Sequence, residues 1–200
     1  MAREISEHDA TLAVDVPGHV ILTQAERFPI SQWKPITARE AKPERAWTPY
    51  APPVDKIVST IYLVDIDGTV AKKRQGEGTR GWHEYERVGE DLPNPGVITM
   101  IEDLRRGGLG MVFMSGRKEH CRPQTRDWLQ RYIGDWTLAS PLHMRADGDN
   151  RSDDIVKHEL FHAHIQGNYE VRAAIDDRDR VVAMWRAIGL TVAQIDFGNF

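Results

Sequence analysis

Thr60-Ile61-Tyr62-Leu63-Val64-Asp65-Ile66-Asp67-Gly68-Thr69-Val70-Ala71 decides how the rest of the chain is read. Residues 57–64 form an apolar, β-branched run, as expected of a strand covered on both faces in a parallel sheet. Two carboxylates follow, Asp65 and Asp67, one residue apart. Burying two acids is costly unless a positive group, usually a metal ion, compensates them. Gly68 lets the chain leave the strand through a tight turn. Two acids thus stand on a rigid strand end, at the edge where open α/β sheets bind their ligands.

Downstream, strand and helix signals alternate. Residues 72–92, with Gly76, Gly78, Gly81 and Gly89, predict a long loop or small hairpin beside the acids, and such loops tend to be functional. Asn94 and Pro95 mark a helix start, with Asn94 as N-cap. Val97, Ile98, Ile101 and Leu104 make its buried stripe, and Gly107–Gly108 its stop. A second strand is expected over 110–114, then a helix over 123–133 with Trp128, Leu129 and Tyr132 facing inward. A third strand is expected over 136–144, interrupted at Pro141. A helix over 153–165, a strand over 171–175, a helix over 178–188 and a strand over 190–195 complete the pattern. This alternation predicts an α/β fold, a doubly wound parallel sheet.

Residues 1–55 differ, holding seven of the eleven prolines. Prolines that dense interrupt helices and central strands. The expected organisation is a proline-rich N-terminal extension over 1–55 and a catalytic domain over 56–200. Residues 13–22 look strand-like, and Phe28, Trp33, Trp47 and Tyr50 are candidate anchors. No Gly-x-x-x-x-Gly-Lys-Ser/Thr loop occurs, so no nucleotide kinase module is expected. The 200 residues carry a net charge of −4, which gives no global attraction to nucleic acid. The single cysteine, Cys121, excludes a disulfide framework and a cysteine metal cluster. No apolar run reaches membrane-spanning length, and the charged N-terminus is unlike a signal peptide. A cytoplasmic protein with no membrane partner is expected.

Four places carry polar residues that a core would not choose: Asp65 with Asp67, Ser115 after the second strand, Lys157 one turn into a helix begun by Asp153, and Asp176 with Asp177. Asp153 and Lys157 are four apart and are expected to share a helix face and pair. If the first strand lies between the second and fourth, these groups converge. That many carboxylates repel one another unless a hard divalent cation, chiefly Mg²⁺, neutralises them.

Asp65-Ile66-Asp67-Gly68-Thr69 and the order acid pair, serine, lysine, acid pair resemble the haloacid dehalogenase superfamily, the aspartate-nucleophile phosphotransferases. The resemblance implies a Rossmann-like core with a small cap or none. It implies Asp65 as nucleophile and Asp67 as the acid and base. Ser115, Gly116 and Lys157 would hold the phosphoryl group. Asp65, the Asp67 carbonyl and Asp176 or Asp177 would hold Mg²⁺. Further stretches, including Thr79-Arg80-Gly81, residues 112–117, 125–128, 151–157 and 175–178, and the ending 181–189, resemble the 3′-phosphatase domain of T-even bacteriophage polynucleotide kinase–phosphatases. That resemblance covers roughly residues 57–200. It implies removal of 3′-phosphate, and also of 2′,3′-cyclic phosphate, from nucleic-acid ends or nucleoside phosphates. It makes Arg80 and Arg117 substrate contacts and Asp153 the acid that orients the lysine. Oligomeric state is left open, a homo-oligomer included. Nothing in residues 1–55 matches the kinase domain found ahead of such phosphatases, and the loop 72–80 is longer than the family's.

Rival readings remain. A small-molecule nucleotidase fits the mild acidity, whereas Lys72, Lys73, Arg74, Arg80, Arg117, Lys118 and Arg122 predict a basic patch for nucleic acid. A non-catalytic binding module is disfavoured because no member of the acid–serine–lysine–acid set is missing. His158-Glu159-Leu160-Phe161-His162 fits the zinc-protease pattern, but successive helix residues diverge by about 100°, so a helix aiming Lys157 at the acids aims both histidines elsewhere.

Overall fold

The computed structural model describes residues 45–54, 58–81 and 83–198. Residues 13–22, Phe28 and Trp33, expected above as a strand and as anchors, lie outside them. Besides three short 3₁₀ helices, the described residues form seven strands and four α-helices: β1 (Thr60–Val64), β2 (Ala71–Lys72), β3 (Leu92–Pro93), α1 (Pro95–Arg106), β4 (Gly110–Lys118), α2 (Arg122–Tyr132), β5 (Leu142–Arg145), α3 (Asp153–His164), β6 (Glu170–Arg178), α4 (Asp179–Ala187) and β7 (Val192–Gly198). Five strands form one parallel sheet in the order β5-β4-β1-β6-β7. The acid-bearing strand is central, between the strands that carry Ser115 and the Asp176–Asp177 pair.

Alternate residues of each strand feed opposite faces, as the two-residue period of a pleated strand requires. Val64, Met111, Phe113 and Ile175 join one core with Val97 and Ile101 of α1 and Trp128 and Leu129 of α2. Ile61, Leu63, Val112, Met114 and Ala174 join the other with Phe161 of α3 and Val181, Met184 and Trp185 of α4. Burial on both faces explains why the 61–64 and 111–114 runs are apolar without alternation. Trp47 and Tyr50 pack on the second core. The Tyr50 backbone N–H donates to Ile188 O at 2.8 Å, and its hydroxyl accepts from the Val171 N–H at 3.0 Å.

Four local expectations need correction. Residues 135–138 form a 3₁₀ turn, and the strand runs only over Leu142–Arg145. There the Thr137 hydroxyl bonds back to Gly134 O at 2.8 Å, a local alternative to a ladder. Tyr132 is exposed rather than inward, because Trp128 already fills the core side of that helix. Asn94 stands at the N-cap position but makes no cap bond; its amide donates to Thr69 O at 2.8 Å, tying α1 to the turn after the acids. The basic patch is not one surface. Arg80 and Arg117 are buried, Arg122 pairs with Glu119, and Lys72 pairs with Asp196.

Candidate active site

β1 ends at Val64, and Asp65 follows with its N–H bonded to Ile175 O of β6 at 2.9 Å. That bond fixes where the first carboxylate leaves the sheet. The chain then turns at Gly68, where φ is +87° and a Cβ would sit 1.9 Å from Asp177 Oδ2. Only glycine fits, on both conformation and space. Asp176 and Asp177 close β6 next door, and the ligand oxygens of Asp65, Asp176 and Asp177 lie within 4.8 Å of one another. All three acids are buried.

Lys157 reaches this group from α3. Its Nζ donates to Asp65 Oδ1 at 2.5 Å and to Asp176 Oδ2 at 2.8 Å. Trp185 Nε1 adds a donor to Asp176 Oδ2 at 3.2 Å. Burial alone would lower the Lys157 pKa, but Asp176 and Asp65 outweigh it and hold the ammonium charged. Burial pushes the Asp65 carboxyl well up, against Lys157, and Asp176 and Asp177 push the same way. Asp177 is raised to about 6, by burial first and then by Asp176. One lysine does not balance three carboxylates. The donor set suits a hard divalent ion, being all carboxylate oxygen.

Asp67 has different company. Arg117 grips its carboxylate through Nε at 2.8 Å and Nη2 at 2.9 Å, and Arg80 Nη2 adds a bond at 3.0 Å. Burial pushes Asp67 up, yet Arg117 and Arg80 outweigh it and hold the carboxyl below its usual range. Both arginines are in turn held by Asp91. It takes Arg80 Nε at 2.8 Å and Nη2 at 2.6 Å, and Arg117 Nη2 at 2.9 Å. Asp91 escaped the sequence reading. It sits in a loop with no periodicity, and its role exists only because two distant arginines meet it. Ser115 is fully buried and accepts from the Arg117 N–H at 3.1 Å, so it shapes the strand end. Gly116 lines the cavity, and a Cβ there would come 2.7 Å from Asp153 Oδ1.

Asp153 does not pair with Lys157 as expected. Its carboxylate takes Arg145 and Arg178 instead, one on each oxygen. Lys157 was free to take the stronger company of two carboxylates. Arg145, at the end of β5, was also missed; Arg178 was visible only as the last residue of a motif. The cavity uniting these groups measures about 490 Å³ and is lined by Asp65, Asp67, Lys157 and Asp177 among others. Lys118 lines it too and is anchored on Asp147 O and Asn150 Oδ1, both at 2.7 Å.

The histidine motif lies elsewhere on α3. His158 and His162 bring their Nε2 atoms to 2.9 Å, while Glu159 is held by Arg151 at 2.6 and 2.7 Å. Among the described residues they gather no third metal-ligating side chain. The glutamate that would serve a zinc protease as base is thus committed to a salt bridge.

Comparison with known proteins agrees with this geometry. Residues 59–200 match the family profile described as the polynucleotide kinase PNKP phosphatase domain, of haloacid dehalogenase type. A protein of Autographa californica nuclear polyhedrosis virus, named as a candidate bifunctional polynucleotide kinase/RNA ligase, is 36% identical over 139 residues, 68% of this chain and 19% of its own length. Among solved structures, a chain of the Pnkp1/Rnl/Hen1 RNA repair complex superposes with a TM-score of 0.67 at 32% identity. That match covers 76% of this chain and 46% of the other. A second structure of the Pnkp1/Rnl/Hen1 complex gives a TM-score of 0.66 at 32% identity, over 76% of this chain and 51% of that one. The chain therefore spans about a fifth to a half of the length of these three relatives.

Proposed function

The chain belongs to the haloacid dehalogenase-type phosphatase domains of the polynucleotide kinase PNKP family, and on that premise we propose that it is a Mg²⁺-dependent phosphatase removing 3′-phosphates from nucleic-acid ends or nucleotides through an aspartyl-phosphate on Asp65. The observation that carries the chemistry is Lys157 Nζ bridging Asp65 and Asp176 beside Asp177, at one sheet edge. Residues 56–200 form the phosphatase domain in this reading and residues 1–55 an extension. Its setting is the cytoplasm.

In the first step an Asp65 oxygen attacks phosphorus, the bond from phosphorus to the 3′-oxygen breaks, and Asp67 gives its proton to the leaving oxygen. In the second, Asp67 takes a proton from water, the water oxygen attacks phosphorus, and the bond to Asp65 breaks to free phosphate. Asp67 must be protonated for the first step, yet Arg117 and Arg80 hold it ionised in this state. An arriving phosphate competes for the same guanidinium forks. As Arg117 and Arg80 turn to phosphate they release Asp67 to take up its proton. Lys157 holds Asp65 in place and offsets its charge. Mg²⁺ held by Asp65, Asp176 or Asp177 and the Asp67 carbonyl would neutralise charge on the transferring group.

The test offers oligonucleotides ending in 3′-phosphate, 2′,3′-cyclic phosphate or 5′-phosphate, beside free nucleotides and sugar phosphates, with and without Mg²⁺. Metal-dependent phosphate release from 3′ ends is expected. Release only from 5′-phosphates or free sugar phosphates would replace this reading with the small-molecule one.

A further inference from the structure

The cavity that holds the acids also carries two aromatic rings, His83 and Tyr85, from the segment joining β2 to β3. A phosphoryl group accounts for the acids, the lysine and the arginines. It makes no use of an aromatic face. The rings are not loosely placed. Tyr85 packs partly buried against the core beneath α1 and α2. His120 meets it edge-on, centroids 5.6 Å apart at 83°, and His83 meets it from the other neighbour at 6.3 Å and 62°. His120 is itself pinned, ring Nδ1 to Asp147 Oδ1 at 2.7 Å and backbone N–H to the same oxygen at 2.9 Å. Tyr85 lines the same cavity as Asp67, Arg145 and Asp153, so the ring stands beside the groups proposed to react. A cavity of about 490 Å³ is in the range of small-molecule sites.

We propose that Tyr85, with His83 at the rim, is the platform on which the terminal nucleobase of the phosphorylated strand stacks. This rests on the nucleic-acid-end reading and adds the part of the substrate that the phosphate site does not read. Every base has a π-face, so a platform of this kind selects nucleotides over plain sugar phosphates without selecting sequence. Base–aromatic stacking is worth about 1–3 kcal/mol per base, or roughly 5- to 150-fold in affinity.

The test compares one 3′-phosphorylated oligonucleotide with the same strand ending in an abasic tetrahydrofuran 3′-phosphate. Tyr85→Leu keeps apolar packing and removes the ring. It is expected to raise KM on the base-bearing end roughly 5- to 150-fold, with kcat and the abasic end unchanged. Tyr85→Phe and Tyr85→Trp should stay near wild type, and His83→Ala should show a smaller rise. A rise shared equally by both ends, or absent from both, overturns the proposal. Should Tyr85→Leu fold poorly by thermal melting, His83→Ala decides on the same two substrates, a rise confined to the base-bearing end being required. If the wild-type protein acts on 5′-phosphates alone, the end-repair reading falls separately. The variants are then read on 5′-mononucleotides against ribose 5-phosphate, where only a nucleotide-specific KM rise keeps the platform.

Discussion

Lys157 is one cation among three buried carboxylates, and this sets its energetic role. Desolvating an ion pair costs much of what its attraction returns, so the pair itself is weak evidence for stability. Removing the cation is another matter, because it leaves Asp65 and Asp176 buried without the positive charge that bridges them. Lys157→Met is expected to destabilise the metal-free protein by about 3–5 kcal/mol, read by denaturant melting, with added Mg²⁺ recovering part of the loss. Asp65→Asn keeps shape and hydrogen bonding but removes the proposed nucleophile. Phosphate release should fall by roughly 10⁴-fold or more, and retained turnover would move the nucleophile elsewhere. Asp91 holds both arginines from behind. Asp91→Ala should therefore raise KM through misplaced forks while leaving Asp65 and Lys157 where they are. A fall in kcat with unchanged KM would contradict that division of labour.

At the scale of elements, the turn after β1 joins the two acid pairs. Gly68 lets Asp177 approach the backbone more closely than any side chain allows. Gly68→Ala is expected to push the Asp177 carboxylate out of the triad and weaken Mg²⁺ binding by isothermal titration, with the sheet intact by circular dichroism. The β4–β5 and β6–β7 pairings both shift register near their ends, between Ser115 and Lys118 and between Asp176 and Arg178. Such irregularities re-aim side chains beside active sites, and here they flank the catalytic edge from both sides. Element types were legible because parallel strands buried on both faces are apolar throughout, and because prolines at helix starts and glycines at helix ends mark where α1 begins and stops. Extents were less so. Residues 115–118 and 176–178 continue their strands although they are polar, since their partners are active-site groups rather than core.

For the molecule as a whole, the sheet order puts the Asp65 strand between the Ser115 and Asp176 strands, and the carboxylate cluster follows from that placement. The charge it concentrates gives a pH signature. The Asp177 carboxyl, raised to about 6, binds a proton in the native state that the unfolded chain has already lost. Between the ordinary carboxylate range and about pH 6, the metal-free protein should lose stability as pH rises. A divalent ion competes with that proton, so the rise in thermal midpoint on adding Mg²⁺ should be larger near pH 8 than near pH 5. An equal rise at both would show that the triad is not the binding site.

The sequence alone determined the alternation of strands and helices, the acid pair at the end of the first strand, and the lysine and second acid pair in their order. These are local signals, carried by periodicity, turn residues and short motifs. Tertiary structure decided who pairs with whom: Asp153 with two arginines rather than the lysine, Asp91 behind Arg80 and Arg117, and Tyr85 against the cavity. Such partnerships join residues far apart in the chain, and a buried charge takes whichever partner folding brings within hydrogen-bond reach.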